Sequence, residues 1–130
     1  MKKFLLTSLI CLSALTFAPQ AHAKLVDVQT TQQLNDLINK GNVVIDFYAP
    51  FNCGPCNALA PVINALATEY PHITFIKLNG GKFGNVMSQY NVSAYPTLVF
   101  LKDGVRMEVV RGGKNKSALK SMLDRLFATR

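Results

Sequence analysis

One segment of the chain, NVVIDFYA at residues 42–49, restricts the possible folds more than any other. β-Branched and aromatic residues make up most of it, which favours a strand. The segment is apolar nearly throughout, as expected of a central strand that other elements cover on both faces. A helical pattern follows at residues 53–70, and its apolar side would provide one such cover. That side consists of Leu59, Val62, Ile63, Leu66 and Ala67.

The other segments predict further helices and strands. Thr30 and Thr31 can cap a helix that ends at Gly41, since threonine is favoured at helix starts and glycine at helix ends. Residues 117–127 show the apolar spacing of a last helix. Between these segments the sequence predicts a second strand, a short helix and a β-hairpin, at residues 73–79, 83–90 and 97–110 respectively.

The order of these elements predicts the fold class. The strands at residues 42–49 and 73–79 are joined through a helix and should be parallel, whereas the hairpin adds antiparallel strands. We therefore predict an α/β fold with a mixed central sheet and helices on both faces.

The N-terminus predicts export. Two lysines at residues 2–3 precede a mostly apolar run at residues 4–18 and the tripeptide Ala-His-Ala at residues 21–23. A basic start, an apolar middle and an Ala-x-Ala end are typical of a cleaved secretory signal peptide. A membrane anchor is the alternative, but a span needs roughly 20 apolar residues. We therefore predict a signal peptide at residues 1–23, one domain at residues 24–130, no stable membrane anchor and an exported, periplasmic location.

The charge of the chain does not indicate a nucleic-acid partner. The sequence has 14 Lys and Arg against 7 Asp and Glu, a formal net charge of +7. Cleavage after residue 23 removes two lysines and no acid, which leaves +5 on 107 residues. The basic residues are spread along the chain and do not form the cluster typical of a nucleic-acid-binding surface. We interpret the excess charge as a solvated surface and expect no nucleic acid as partner.

Two of the three cysteines, Cys53 and Cys56, remain after cleavage, and they could form a structural bridge, part of a metal site or a redox centre. A bridge across so small a loop restricts the unfolded chain little and contributes little stability. A structural zinc site needs four ligands, usually Cys or His, and besides the pair the mature chain offers only His72. We therefore favour a redox-active pair, with no metal and no separate cofactor.

The position of the pair predicts a role for each cysteine. Cys53 lies at the predicted start of a helix, where unpaired N–H groups and the helix dipole favour a thiolate. Cys56 lies one turn further in and should be shielded. We expect Cys53 to attack a substrate disulfide and Cys56 to resolve the mixed disulfide. Gly54 and Pro55 hold the two sulfurs close together without side-chain crowding.

Several motifs together resemble the thioredoxin family. They are VIDFYAPFNCGPC at residues 44–56, Pro61, KLN at residues 77–79, YPTLVFLKDG at residues 95–104 and the glycine before the last helix. The resemblance spans essentially the whole mature chain. It implies the thioredoxin fold, which has two N-terminal elements that the residue pattern by itself does not establish. It also implies disulfides of proteins as substrates.

The resemblance gives a catalytic role to Asp46. This aspartate lies in an otherwise apolar strand, where a carboxylate is costly. The matching family aspartate is buried behind the resolving cysteine and moves its proton, and burial should raise its pKa. An aspartate that reaches solvent from a strand end is the alternative. Lys77 matches a family lysine near this aspartate, so it is either a supporting residue or an exposed strand lysine.

The resemblance also implies a substrate-binding surface. Pro96 matches a proline that the family holds in the cis form beside the active site, which would leave the backbone of Tyr95 free to pair with a substrate strand. Gly112 matches a glycine that keeps the substrate groove open, although a turn between strand and helix would also explain it. The predicted substrate-binding residues are Asn52, Gly54, Pro55, Tyr95, Pro96 and Gly112.

The loop that faces the partner departs from the family pattern. Asn52 stands where the family usually has tryptophan, and the segment from Asp46 to Cys53 is one residue longer than usual. Asn57 replaces the lysine that commonly follows the second cysteine. These changes leave the chemistry in place and alter the surface that selects partners.

Together with the predicted signal peptide, the resemblance predicts a monomeric, exported member of the thioredoxin family that reduces protein disulfides outside the cytoplasm. Family members with Gly-Pro between the cysteines are usually reductants, and an exported reductant needs electrons, which we expect from a membrane thiol carrier. A periplasmic oxidant or isomerase is the enzymatic alternative, which the altered loop at residues 51–52 leaves open. The alternative of another class is a non-catalytic binding subunit, against which the intact cysteines and Asp46 argue.

Overall fold

The structure, a computed structural model, describes residues 24–128. The predicted signal peptide at residues 1–23 lies outside them. Every helix and strand predicted from the sequence is present, with its ends shifted by a few residues at most. The elements are β1 (Lys24–Asp27), α1 (Thr31–Ile38), β2 (Asn42–Tyr48), α2 (Gly54–Glu69), β3 (Ile73–Asn79), α3 (Gly84–Gln89), β4 (Thr97–Lys102), β5 (Val105–Arg111) and α4 (Lys116–Leu126).

The strands form one sheet in the order β1-β3-β2-β4-β5. Strand β2 pairs in parallel with β3 and antiparallel with β4, and β5 is antiparallel to β4. These pairings confirm the predicted mixed sheet. The central place of β2 explains its composition, because five consecutive residues of this strand, 43–47, are buried.

The residue pattern by itself does not indicate β1. This strand has four residues, KLVD, and pairs in parallel with β3, so that Leu25 lies opposite Phe75 and Val26 opposite Ile76. A strand this short depends on its pairing with a neighbour, which its own sequence does not show. Strand β1 and helix α1 are the first two elements of the described chain.

Helices cover both faces of the sheet, as predicted. Val43, Ile45 and Phe47 of β2 pack in one core with α1 and α3, whereas Val44 packs in a second core with α2 and α4. Side chains of a strand alternate between the two faces. Asp46 is therefore on the same face as Val44, the face that α2 covers.

Three connections converge at one end of the sheet, at the carboxyl ends of its parallel strands. The parallel strands β2 and β3 both end there, and β4, which is antiparallel to β2, begins there with Thr97 opposite Phe47. The loop into α2, the turn after β3 and the segment before β4 are thus neighbours. The carboxyl ends of parallel strands are the usual place for sites in α/β sheets. Within residues 24–128, no helix is both long and apolar enough to span a membrane.

Candidate active site

The loop between β2 and α2 carries the cysteine pair. Asn52, directly before Cys53, has a φ of 53°, in the left-handed region that asparagine tolerates better than most residues. Phe51 is 81% exposed. The longer loop thus contains a left-handed residue and places an aromatic side chain in solvent next to the pair.

Cys53 and Cys56 form a disulfide, with their Cα atoms 5.2 Å apart. Cys53 caps α2, and its sulfur accepts a hydrogen bond from the N–H of Cys56 at 3.2 Å. Gly54 and Pro55, both exposed, begin the helix between the cysteines. Proline fits this position because the first N–H groups of a helix have no intrahelical acceptor. The pair therefore lies at the start of a 16-residue helix, where the sequence places it.

The helix start gives the two cysteines different surroundings. Unpaired N–H groups and the helix dipole favour negative charge on the sulfur that caps the helix, which is that of Cys53. Cys56 instead lines a cavity beside Asp46. In the disulfide state Cys53 and Cys56 are 8% and 7% exposed, so burial does not distinguish them. The expected difference in accessibility between the reduced thiols stays a prediction.

The carboxyl of Asp46 is buried. The residue is 4% exposed, and its Oδ1 has no hydrogen-bond partner among residues 24–128. Burial raises the pKa of Asp46 to about 6, although the charge of Lys77 acts in the opposite direction. Asp46 lines a cavity of about 230 Å³ together with Cys56, Asn57 and Tyr48. A carboxyl with this pKa can take up and release protons near neutral pH.

Lys77 is the neighbour of Asp46 in the adjacent strand, since the two residues are register partners in β2 and β3. Its ammonium group lies 4.8 Å from the centre of the Tyr48 ring, within cation–π distance. Lys77 is half-buried and lines the same cavity. It is therefore more than an exposed strand lysine, because its charge lowers the pKa of Asp46 against the effect of burial.

The segment before β4 has the predicted cis bond, between Tyr95 and Pro96. The C=O of Pro96 accepts a hydrogen bond from the N–H of Gly112 at 2.9 Å, which joins this segment to the end of β5. Gly112 has a φ of 79°, a conformation that favours glycine, and a side chain there would meet no atom within 4 Å. Within residues 24–128, the N–H and C=O of Tyr95 have no backbone hydrogen-bond partner.

Comparisons with known proteins agree with this geometry. The thioredoxin family model matches residues 24–125. Thioredoxin from Chlamydia trachomatis is 40% identical over 101 residues, which cover 78% of this chain and 98% of that protein. A mutant thioredoxin from Halobacterium salinarum superposes with a TM-score of 0.76 at 31% identity, over 83% of this chain and 95% of that one. Thioredoxin from Fasciola hepatica superposes with a TM-score of 0.69 at 37% identity, over 76% and 96%.

The chain belongs to the thioredoxin family. It is a thioredoxin-type thiol–disulfide oxidoreductase, with Cys53 and Cys56 as its disulfide-forming pair. Its sheet and helices are the thioredoxin fold, as predicted. In the described part of this thioredoxin, no group of three or more Cys, His, Asp or Glu is placed to hold a metal ion.

Two further residues lie at the site, although the sequence motifs assign them no role. Tyr48 lines the cavity of Asp46 and contacts Lys77. Its spacing of two from Asp46 could have indicated this, because residues i and i+2 of a strand share a face. Gly80 is buried against the ring of Tyr95. No local pattern reveals that contact, since it joins two separate turns.

Proposed function

We propose that this thioredoxin reduces disulfides of proteins outside the cytoplasm. The observation that carries the proposal is the arrangement of the disulfide at the start of α2, with the buried carboxyl of Asp46 lining the same cavity as Cys56. The Gly-Pro sequence between the cysteines supports reduction as the direction, because family members with this sequence are usually reductants. The signal-peptide pattern of residues 1–23 supports export.

The first step begins from the reduced protein. The thiolate of Cys53 attacks one sulfur of the substrate disulfide and forms a mixed disulfide. The substrate S–S bond breaks, and the other substrate sulfur leaves with the electron pair and takes up a proton. The N–H groups and the dipole at the start of α2 favour negative charge on the Cys53 sulfur and so support the attacking thiolate.

The second step releases the substrate. Cys56 loses its proton to the ionised carboxylate of Asp46, and its thiolate attacks the sulfur of Cys53. The mixed disulfide breaks, and the second substrate sulfur leaves as a thiolate that takes up a proton. The substrate has then gained two electrons and two protons, and the Cys53–Cys56 disulfide has formed. Lys77 supports this step by keeping the pKa of Asp46 lower than burial alone would set it.

Substrate binding takes place at this end of the sheet, around the pair of cysteines. The free backbone groups of Tyr95 pair with an extended segment of the substrate, in the manner of an added strand. Pro96 and Gly112 lie beside Tyr95, and the hydrogen bond between them fixes the position of the Tyr95 backbone. Asn52, Gly54 and Pro55 are exposed beside the disulfide and contact the substrate there.

The proposal includes a donor and an oligomeric state. The disulfide of the oxidised protein takes two electrons from a dithiol, and for an exported protein a membrane thiol carrier is the class of donor that can supply them. The protein acts as a monomer.

An oxidant or isomerase is the second candidate function. The observation that favours it is the loop before the pair, where Phe51 is 81% exposed and Asn52 is left-handed. A changed loop can change how well the folded protein stabilises the Cys53 thiolate, and so the direction of exchange. A non-catalytic binding subunit would not need the buried carboxyl of Asp46 beside Cys56.

Trapping of mixed disulfides in cells tests the proposal. Cys56→Ala should leave a Cys53 that attacks but cannot be resolved, so covalent complexes with exported proteins should accumulate. Cys53→Ala is the matched control and should trap none of them. The complexes are measured by non-reducing electrophoresis and mass spectrometry after rapid alkylation.

Three outcomes would contradict the proposal. Complexes formed by Cys53→Ala and absent with Cys56→Ala would reverse the roles of the cysteines. Complexes made only of cytoplasmic proteins would contradict export. In vitro, the unchanged protein should reduce insulin with dithiothreitol as the electron source, and lack of this activity would contradict the reductase function.

A further inference from the structure

The ring of Tyr95 packs on a glycine from a different turn. A Cβ built at Gly80 would overlap the hydroxyl oxygen, Cε1 and Cζ of Tyr95, with Cζ only 2.5 Å away. Real Cβ atoms essentially never approach another heavy atom this closely. The ring of Tyr95 can therefore occupy its place only because residue 80 has no side chain.

Backbone conformation does not account for the glycine at position 80. The glycines with positive φ among the described residues are Gly41, Gly104 and Gly112. Gly80 is not among them, so its backbone would accept other residues. The space taken by the Tyr95 ring is what restricts this position.

A second contact holds the same ring from α3. The hydroxyl of Tyr95 donates a hydrogen bond to Sδ of Met87 at 3.1 Å, and both side chains are half-buried against the core formed by α1, α3 and the sheet. Gly80 in turn donates its N–H to the C=O of Tyr48 at 3.0 Å, at the end of β2. The ring thus lies between the turn after β3 and helix α3.

We propose that Gly80 is a positioning residue for substrate binding, because it makes room for the Tyr95 ring and thereby fixes the backbone segment at Tyr95 and Pro96. The inference rests on the proposed function, in which the Tyr95 backbone pairs with the substrate. Gly80 and Met87 act through Tyr95 and do not touch the reacting sulfurs. The predicted consequence is an effect on substrate binding with no effect on the chemistry of the cysteines.

Gly80→Ala tests this in steady-state reduction of insulin. The methyl group should push the Tyr95 ring out of its place and raise KM for insulin roughly three- to tenfold, the range expected when a side chain is forced off its rotamer. The kcat and the equilibrium of the cysteine pair with glutathione should stay unchanged, because the pair is not touched. Gly84→Ala is the matched control, since a Cβ there meets no atom within 4 Å, and its KM should equal that of the unchanged protein.

A double-mutant cycle identifies the ring as the cause. Tyr95→Val removes the three atoms that a Cβ at residue 80 would overlap. Once the ring is absent, adding Gly80→Ala should change KM no further. If Gly80→Ala raises KM by the same factor with and without the ring, the effect comes from the turn itself and the proposal is wrong.

The remaining outcomes are also decisive. An unchanged KM for a folded Gly80→Ala protein would overturn the proposal. If Gly80→Ala does not fold, recovery of folding in the Gly80→Ala, Tyr95→Val protein would support the steric contact, and no recovery would contradict it. Met87→Leu, which removes the acceptor of the Tyr95 hydroxyl, should raise KM without altering the glutathione equilibrium. Failure of the unchanged protein to reduce insulin would be a failure of the proposed function instead, so the two are distinguishable.

Discussion

At the scale of single residues, Asp46 links stability to chemistry. Its carboxyl lies in the central strand under α2, where no described residue hydrogen-bonds to Oδ1. An ionised carboxylate in such a place is costly, because burial removes water and nothing replaces all of its hydrogen bonds. The same burial raises the pKa to about 6, which makes the group useful as a proton acceptor for Cys56. The fold thus keeps a destabilising group at the position where proton transfer needs it.

The pH dependence of stability follows from this pKa. The carboxyl of Asp46 has an ordinary pKa near 3.8, and burial raises it to about 6 in the folded protein. At a pH below its ordinary pKa, the carboxyl is protonated in both the folded and the unfolded protein, so its ionisation does not affect stability. Between pH 3.8 and about 6 the unfolded chain ionises this carboxyl while the folded protein keeps it protonated, so stability falls across this window and levels off above it.

Asp46→Asn removes this ionisation and should stabilise the protein selectively at high pH. We expect the free energy of unfolding to rise by on the order of 3 kcal/mol at pH 8 and to change little by ionisation at pH 4. Insulin reduction should be slower, because Cys56 loses its proton acceptor. Denaturant titrations at both pH values measure the stability, with Asp36→Asn on an exposed helix face as control. A gain that is equal at pH 4 and pH 8 would contradict the raised pKa.

At the scale of elements, α2 carries the redox pair at one end and is tied to α4 at the other. Glu69 forms ion pairs with Lys116 and with Lys120 of α4. Tyr70, just after α2, donates its hydroxyl hydrogen bond to Asp124 at 2.7 Å. These contacts lie at the surface or near it. Beneath them, leucines of both helices and Ile63 of α2 share one core with β2, β3 and β4.

The apolar contacts should contribute more than the ion pairs to holding α4 in place. Leu123 is 1% exposed in the shared core, and Leu123→Ala should lower the free energy of unfolding by about 2–5 kcal/mol, since it leaves a cavity. Lys116→Ala removes an exposed ion pair, which salt and solvent screen, and should have a much smaller effect. Denaturant titration of both variants checks this. Equal losses, or a larger loss for Lys116→Ala, would show that the surface pairs hold α4 in place.

At the scale of the whole molecule, the direction of exchange is a difference in stability between the oxidised and the reduced fold. A protein that stabilises its thiolate strongly favours the reduced form and acts as an oxidant. Here the thiolate of Cys53 gains from the helix start and from the N–H of Cys56. The sequence neighbours from Phe51 to Asn57 add no positive charge to this stabilisation, because they include no lysine, arginine or histidine. We therefore expect an oxidised form that is comparatively stable, and so a reductant.

Equilibration with a glutathione buffer measures this direction. The Cys53–Cys56 pair should be more reducing than glutathione, and the oxidised protein should resist denaturant better than the reduced one, because both quantities belong to one thermodynamic cycle. The unfolded protein in the same buffer is the reference. A pair clearly more oxidising than glutathione would favour the oxidant candidate, and the fold and the two cysteines would be unaffected.

Much of this architecture could be predicted because its signals are local. The apolar run of β2, the helical spacing in α2 and the Asp103-Gly104 turn of the hairpin each lie within a short segment. The place of the cysteines at a boundary between strand and helix is equally local, so their chemistry could be predicted before any tertiary contact was known. Strand β1 could not, because four residues at a sheet edge owe their order to β3.

The sequence by itself determined the helices, every strand except β1, the mixed sheet and the Cys53/Cys56 pair, since spacing and residue type along the chain encode them. Only the tertiary structure decided how deeply Asp46 is buried, that Lys77 lies over the Tyr48 ring, and that the ring of Tyr95 occupies the space above Gly80. The reason is physical. Burial, charge interactions and steric exclusion depend on distances between atoms in space, and folding brings together residues whose separation along the chain says nothing of those distances.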